Sequence, residues 1–350
     1  MRLAPVLAAL ALLGSTPVLA QDVMAPALPA PPLTAEAINA ASLTTIPAKY
    51  VPPAAPPADP AAADPATPAA KPLPDPAIVR LQVLLDRAGA SPGVIDGYDG
   101  ENVRKAVFAF ELMRGFPADG ELDADVTTAL ESGGPVIGKY DISAEDVAAI
   151  VPPIPKDYAE MAKRDFLGYQ SVEEELGERF HMDIDLLKAL NPGVDFTAGT
   201  AIAAAAYGPD LTGSVARIEA DKTLRQVRAY GADGKLIAAY PATIGSEDNP
   251  SPSGTHVVEG VAAMPTYTYN PKINFQQGDN TAVLTIPPGP NGPVGSMWID
   301  LSEPTFGIHG TPEPSLIDKT GSHGCVRLTN WDANELAKMV KPGVPVIFIG

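Results

Sequence analysis

Ser322-His323-Gly324-Cys325-Val326-Arg327-Leu328 contains the only cysteine among 350 residues. His323 stands two positions before that thiol, and His309, within Phe306-Gly307-Ile308-His309-Gly310-Thr311, stands sixteen positions before it. A thiol with an imidazole in reach is the minimal equipment for nucleophilic catalysis. The ring takes the proton, the thiolate attacks, and a covalent intermediate divides one hard step into two. A lone cysteine is more often a small buried hydrophobe. Here its neighbours are polar and flexible, and Gly324 lets the surrounding backbone N–H groups turn toward a substrate. A strand-like run, Thr305 to Ile308, delivers His309 at its end, and the loop from Thr311 to Gly321 returns the chain to Cys325. Neighbouring strands lie about 4.8 Å apart, so this return can bring the two side chains together.

With Ser251-Pro252-Ser253-Gly254-Thr255, Asn270-Pro271-Lys272-Ile273-Asn274-Phe275 and Pro287-Pro288-Gly289-Pro290-Asn291-Gly292-Pro293-Val294-Gly295, these segments resemble the L,D-transpeptidase (YkuD-type) catalytic domain. That family's signature is a histidine, a loop, then Ser/Thr-His-Gly-Cys, and the similarity covers about residues 213–350. Arg327 stands where some members carry Asn, and Asp318 where many relatives have Gly. The resemblance implies Cys325 as nucleophile, His309 as general base, and the carbonyl of Gly310 orienting the His309 ring. The residues alone leave the base open, because His323 in an extended segment points to the same face as Cys325. It could take the proton, donate to substrate or shape the pocket. Backbone N–H groups of His323, Gly324 and Cys325 are candidate oxyanion donors. Arg327, whose planar fork suits a carboxylate, and Ser322 are candidate substrate contacts. An internal salt bridge is the other reading of Arg327.

The implied reaction is acyl transfer on peptidoglycan stem peptides. Cys325 attacks the carbonyl before the terminal D-alanine of a tetrapeptide stem, and an amine on a second stem or an envelope protein resolves the thioester. Water as acceptor would make the same site an L,D-carboxypeptidase, and a non-catalytic wall-binding scaffold is the alternative from another class. His309, His323 and Cys325 are permissible zinc ligands, but the chain has no H-E-x-x-H, His-x-His or CxxC. No cofactor signature is present, and the Cys-Gly-Ser-Cys context of papain-like peptidases is absent.

Residues 1–20 read as a secretory signal: Arg2, an apolar run from Leu3 to Leu13, and Val18-Leu19-Ala20 before the cleavage point. Pro5 and Gly14 interrupt a run already short of the ~20 apolar residues that a span needs. The expectation is therefore an exported, periplasmic protein without a membrane span after processing. One cysteine permits no internal disulfide, so stability must come from packed cores. A formal charge of −18 disfavours nucleic acid and anionic membranes as partners.

Fifteen of the 39 prolines fall between Pro26 and Pro76, and residues 21–75 read as an Ala/Pro-rich disordered linker. From 76 to 132 the pattern turns helical. Ile78, Leu81, Leu85 and Ala88 form one stripe before Gly89, and Val103, Ala106, Val107 and Phe110 form another. A third short helix follows Gly120-Glu121-Leu122-Asp123. This small three-helix bundle resembles a peptidoglycan-binding domain through Arg80-Leu81-Gln82, Leu84-Leu85 and Gly115-Phe116-Pro117-Ala118-Asp119-Gly120, with Glu111 where that family has Gln. Residues 139–207 form an α/β adaptor. From Tyr169 to Ala206 it resembles a LysM-type glycan-binding fold, without an evident first strand. His181, beside Phe180 near a helix end, reads as a cap or core residue. Residues 213–350 are expected to be mainly antiparallel β with one late helix near 330–340, where Thr329 and Asp332 are placed for a capping box. Asp233-Gly234 marks a hairpin between Leu224–Tyr230 and Lys235–Tyr240.

Overall fold

Between Pro32 and Pro47 the chain carries no proline, and there it folds. The computed structural model describes residues 33–50, 73–131, 133–246, 248–273 and 275–350. The expected signal at 1–20, with 21–32 and 51–72 of the expected linker, lies outside the described residues. Residues 33–50 correct the reading of 21–75 as one disordered linker. The Thr34 hydroxyl accepts from Ala37 N at 3.1 Å and starts helix α1 (Ala35–Ala40), which buries Ile38. Leu43 and Ile46 follow into the same core. Three apolar anchors outweigh the Ala/Pro composition around them.

That core belongs to the helical bundle. In α2 (Pro76–Arg87), Asp75 caps the Ala77 N–H and Pro76 opens the first turn, so Ile78, Leu81 and Leu85 face inward. Helices α3 (Glu101–Arg114) and α4 (Ala124–Glu131) complete the three helices. Glu111 is buried, and its carboxylate accepts from the Asp119 and Gly120 N–H groups at 2.9 and 2.8 Å. Both bonds need only an acceptor, which explains why Glu serves where Gln is usual. Arg80 donates to the Asn39 carbonyl and Arg104 to those of Ala48 and Pro47, which binds residues 33–50 to α2 and α3.

The adaptor begins with β1 (Ile137–Asp141), the strand that the sequence did not disclose: only Ile137 of its five residues is buried. Then come α5 (Ala144–Ala148), α6 (Tyr158–Met161), α7 (Val172–Arg179), α8 (Ile184–Leu190) and β2 (Ala201–Ala205). β1 and β2 pair antiparallel, Ile137 opposite Ala205. One continuous apolar core runs through bundle and adaptor. The two stretches read as separate modules are therefore one packed body.

A second core fills the β-rich domain. Its strands are β3 (Arg217–Asp221), β4 (Gln226–Tyr230), β5 (Leu236–Pro241), β6 (Thr243–Ile244), β7 (Gly254–Ala263), β8 (Tyr267–Tyr269), β9 (Leu284–Ile286), β10 (Met297–Leu301), β11 (Gly307–His309), β12 (Val326–Arg327) and β13 (Pro345–Ile349). Among the described residues, nine of them form a sheet in the order β5-β4-β3-β13-β7-β10-β11-β12-β6. Most neighbours are antiparallel, but β3 with β13 and β11 with β12 are parallel. Long β7 joins the two halves, pairing first with β13 and then with β10. The late helix α9 (Asn330–Met339) turns Ala333, Leu336 and Ala337 onto this sheet. Thr329 accepts from Asp332 N, supplying the N-cap bond expected of that pair.

Side-chain joints tie the bodies together, two of them centred on residues named in the sequence. His181 sits between Tyr207 and Trp331, rings nearly parallel, with Nδ1 2.9 Å from the Asp86 carboxylate. The other is Asp318, at φ 68°, a left-handed conformation that Asp tolerates better than most residues. Its carboxylate pairs with Lys105 of α3 at 2.5 Å and with Arg225 at 2.6 Å. Asp318→Asn keeps shape and left-handed tolerance while removing the charge that Lys105 and Arg225 share, and leaves Arg225 its weaker pair with Glu101 at 3.4 Å. It should lower stability by about 2–3 kcal/mol, read from the shift of a urea unfolding midpoint.

Candidate active site

Parallel pairing of β11 with β12 sets Ile308 opposite Val326 and His309 opposite Arg327. In that register Cys325 lies beside Gly307, two residues along from His309. Residues two apart share a face, so thiol and imidazole emerge on the same side of adjacent strands. Nδ1 of His309 is 2.7 Å from the carbonyl oxygen of Gly310. A carbonyl only accepts, so this contact places the ring proton on Nδ1 and leaves the Nε2 lone pair available. Trp298, opposite His309 on β10, stacks on the ring at 5.5 Å.

Each turn around the thiol is narrowly constrained. Gly324 has φ 106°, and a Cβ there would lie 2.6 Å from the Phe306 ring. A Cβ on Gly310 would lie 2.2 Å from Oδ1 of Asn330. That buried asparagine accepts from Ser296 N and donates to the Pro290 carbonyl and Glu178, so it braces the backbone behind His309. Thr305, β-branched yet at φ 73°, aims its carbonyl at the Cys325 sulfur, 3.7 Å away. Strain of this kind collects at functional sites.

Ser322 departs from the expected substrate contact. Its hydroxyl donates to the Cys325 carbonyl at 2.7 Å and accepts from Gly245 N at 2.8 Å, and the side chain is buried. It shapes the turn that carries Cys325. Arg327 donates to the Gly321 carbonyl at 3.0 Å. Among the described residues no carboxylate lies within ion-pairing distance of it, so the internal salt bridge is not formed. His323 is exposed on one side and stacks on Phe275 at 4.0 Å, planes 17° apart. Neither imidazole makes a hydrogen bond with the sulfur. Sequence reasoning missed Trp298, Thr305, Asn330 and Phe275, because a strand neighbour, a turn, a helix start and a distant loop that meet only in the fold carry no spacing signal. Asn330 at the start of a helix behind a capping Thr was the one local hint.

Burial governs the charges. It pushes the Cys325 thiol up, with a backbone contact to Gly307 and the Arg327 charge pulling the other way. It pushes His309 down to about 4, opposed by the carbonyls of Gly310 and Val294. His323 is also lowered by burial and then by Arg327. The resting pair is thus a neutral thiol and a neutral imidazole.

Residues 216–348 match the YkuD family, described as the L,D-transpeptidase catalytic domain. That stretch of the chain is similar to an L,D-transpeptidase catalytic domain. Residues 74–130 match a peptidoglycan binding domain family. Over 130 residues the chain is 34% identical to the YkuD protein of Bacillus licheniformis, covering 37% of this chain and 63% of that one. Over 114 residues it is 47% identical to YkuD of Bacillus subtilis, covering 33% and 54%. The chain thus spans less than two thirds of the length of these relatives. The solved L,D-transpeptidase from Mycobacterium smegmatis aligns at 17% identity and a TM-score of 0.33, over 45% of this chain and 76% of that one. Among the described residues no helix is long and apolar enough to cross a membrane.

His309 binds its proton near 6.5 when unfolded but near 4 when folded. The stability gained by keeping it neutral is complete above pH 6.5 and is lost as pH falls toward 4. The full difference is worth up to about 3 kcal/mol. Urea midpoints of the wild type should fall across this window, and the fall should be shallower in His309→Gln.

Proposed function

We propose that the protein is a peptidoglycan L,D-transpeptidase in which Cys325 is the nucleophile and His309 the base. The observation that carries this is the His309 ring, held by Gly310 with Nε2 unprotonated, on the same face as the thiol one strand away. The Cys325 sulfur attacks the carbonyl before the terminal D-alanine of a tetrapeptide stem. Its proton passes to Nε2 of His309 as the C–S bond forms, since neither charged partner is favoured beforehand. The oxyanion is met by backbone N–H groups at His323, Gly324 and Cys325, where a bulkier residue than glycine does not fit. Collapse breaks the C–N bond, and His309 returns the proton to the departing amine of D-alanine. An amine of a second stem, or of an envelope protein, then attacks the thioester and regenerates the thiol.

Arg327, a half-buried cation with no carboxylate at ion-pairing distance among the described residues, suits the C-terminal carboxylate of the donor stem. His323 lines the same face and contributes shape or a proton to the substrate. The helical bundle binds the wall polymer and, with the adaptor as a glycan-contacting element, keeps the site near its substrate. The cell envelope, on the periplasmic side, is where such a substrate lies.

Incubation of muropeptides with wild type and Cys325→Ala tests the assignment. Release of D-alanine should fall by at least ~10³-fold in the variant. Equal release from both refutes Cys325 as nucleophile. Products linked between third residues identify a stem acceptor, whereas D-alanine released without cross-linked product identifies water. A carbapenem should add its mass to the wild type alone.

A further inference from the structure

Tyr158 opens α6 in the adaptor, outside residues 216–348. Its ring nevertheless meets three aromatic rings of the β8–β9 hairpin edge-on: Tyr267 at 6.1 Å, Tyr269 at 5.2 Å and Phe275 at 6.1 Å. Polar hooks reinforce the contact. Gln277 accepts from Tyr158 N at 3.1 Å and donates to the Lys156 carbonyl at 2.9 Å, and Asn280 donates to Asp157 at 2.9 Å. Farther along, Leu167 exchanges backbone hydrogen bonds with Pro288 and Asn291. The adaptor segment from Lys156 to Leu167 therefore follows the hairpin to the residues beyond β9.

The hairpin needs such support. β8 and β9 pair over three residues and belong to a separate two-stranded sheet, and a two-stranded ribbon is marginal on its own. Its Phe275 is the ring that lies on His323, two residues from the thiol. We infer that Tyr158 is a positioning residue for the catalytic site, holding the hairpin so that Phe275 seats His323 beside Cys325. The inference rests on the proposed nucleophile. It makes the adaptor part of the active site's construction, since the hub ring comes from outside the catalytic domain.

Three full-length variants test it: Tyr158→Ala removes the hub, Tyr158→Phe keeps the ring, and Gln277→Ala cuts two polar hooks. No residue of α6 is buried, so truncation there should leave both cores intact, which a thermal melt checks. In Tyr158→Ala, iodoacetamide should alkylate Cys325 about five-fold or more faster as the covering hairpin loosens. KM for the donor tetrapeptide should rise about ten-fold with a smaller change in kcat. Tyr158→Phe should stay within about two-fold of wild type on both readouts, and Gln277→Ala should shift the same way as Tyr158→Ala. An alkylation rate unchanged or slower in folded Tyr158→Ala overturns the inference. So does Tyr158→Phe behaving like Tyr158→Ala, which would make the hydroxyl, not the ring, the active part. Failure of wild type to release D-alanine overturns the functional reading alone, and the alkylation comparison still decides the clamp.

Discussion

Two short strands, β11 and β12, running parallel at the heart of the catalytic domain, set everything else. Their register alone decides that His309 and Cys325 share a face, because a slip of one residue would turn either side chain away. Three features keep that register. Ser322 locks the turn before the thiol to Gly245, Gly324 permits a backbone path closed to other residues, and Asn330 fills the space that a side chain on Gly310 would need. Parallel neighbours cannot be joined by a tight turn, and here the connection is the loop that carries Asp318. Its ion pairs fix that loop from two sides, Lys105 from the helical body and Arg225 from the residue before β4.

The electrostatics of the pair follow from its depth. Desolvation disfavours charge on both partners, raising the thiol and lowering the ring. An ion pair waiting in the resting enzyme would require the opposite shifts. A neutral, desolvated thiol is less open to oxidants than a thiolate would be. Thr305, strained into a left-handed turn, adds a weak acceptor for the S–H.

Local signals in the sequence were legible where one residue decides one element. Gly89 stops the α2 stripe, Asp233-Gly234 turns a hairpin, and Thr329 starts α9. What escaped depends on partners distant in sequence. β1 is invisible because a strand with one buried residue has no alternation to read, and residues 33–50 were hidden by the proline count on either side. Ser322 looked like a substrate contact because a hydroxyl beside a nucleophile is indistinguishable, in sequence, from one hydrogen-bonded to its own loop. The Tyr158 hub joins residues over a hundred positions apart, and no periodicity encodes it.

On the outer flank of the sheet, β5 does not end in solvent. Ala239 exchanges two backbone hydrogen bonds with Gly89 and Ser91, just past the end of α2, and its side chain is buried in the core of the helical body. An uncovered strand flank is a template for pairing with other chains. Severing the helices from the catalytic domain would therefore do more than remove a helical module. It would lay bare a sticky margin on the remaining sheet, so the boundary between the two homologous regions is not a seam at which the molecule divides.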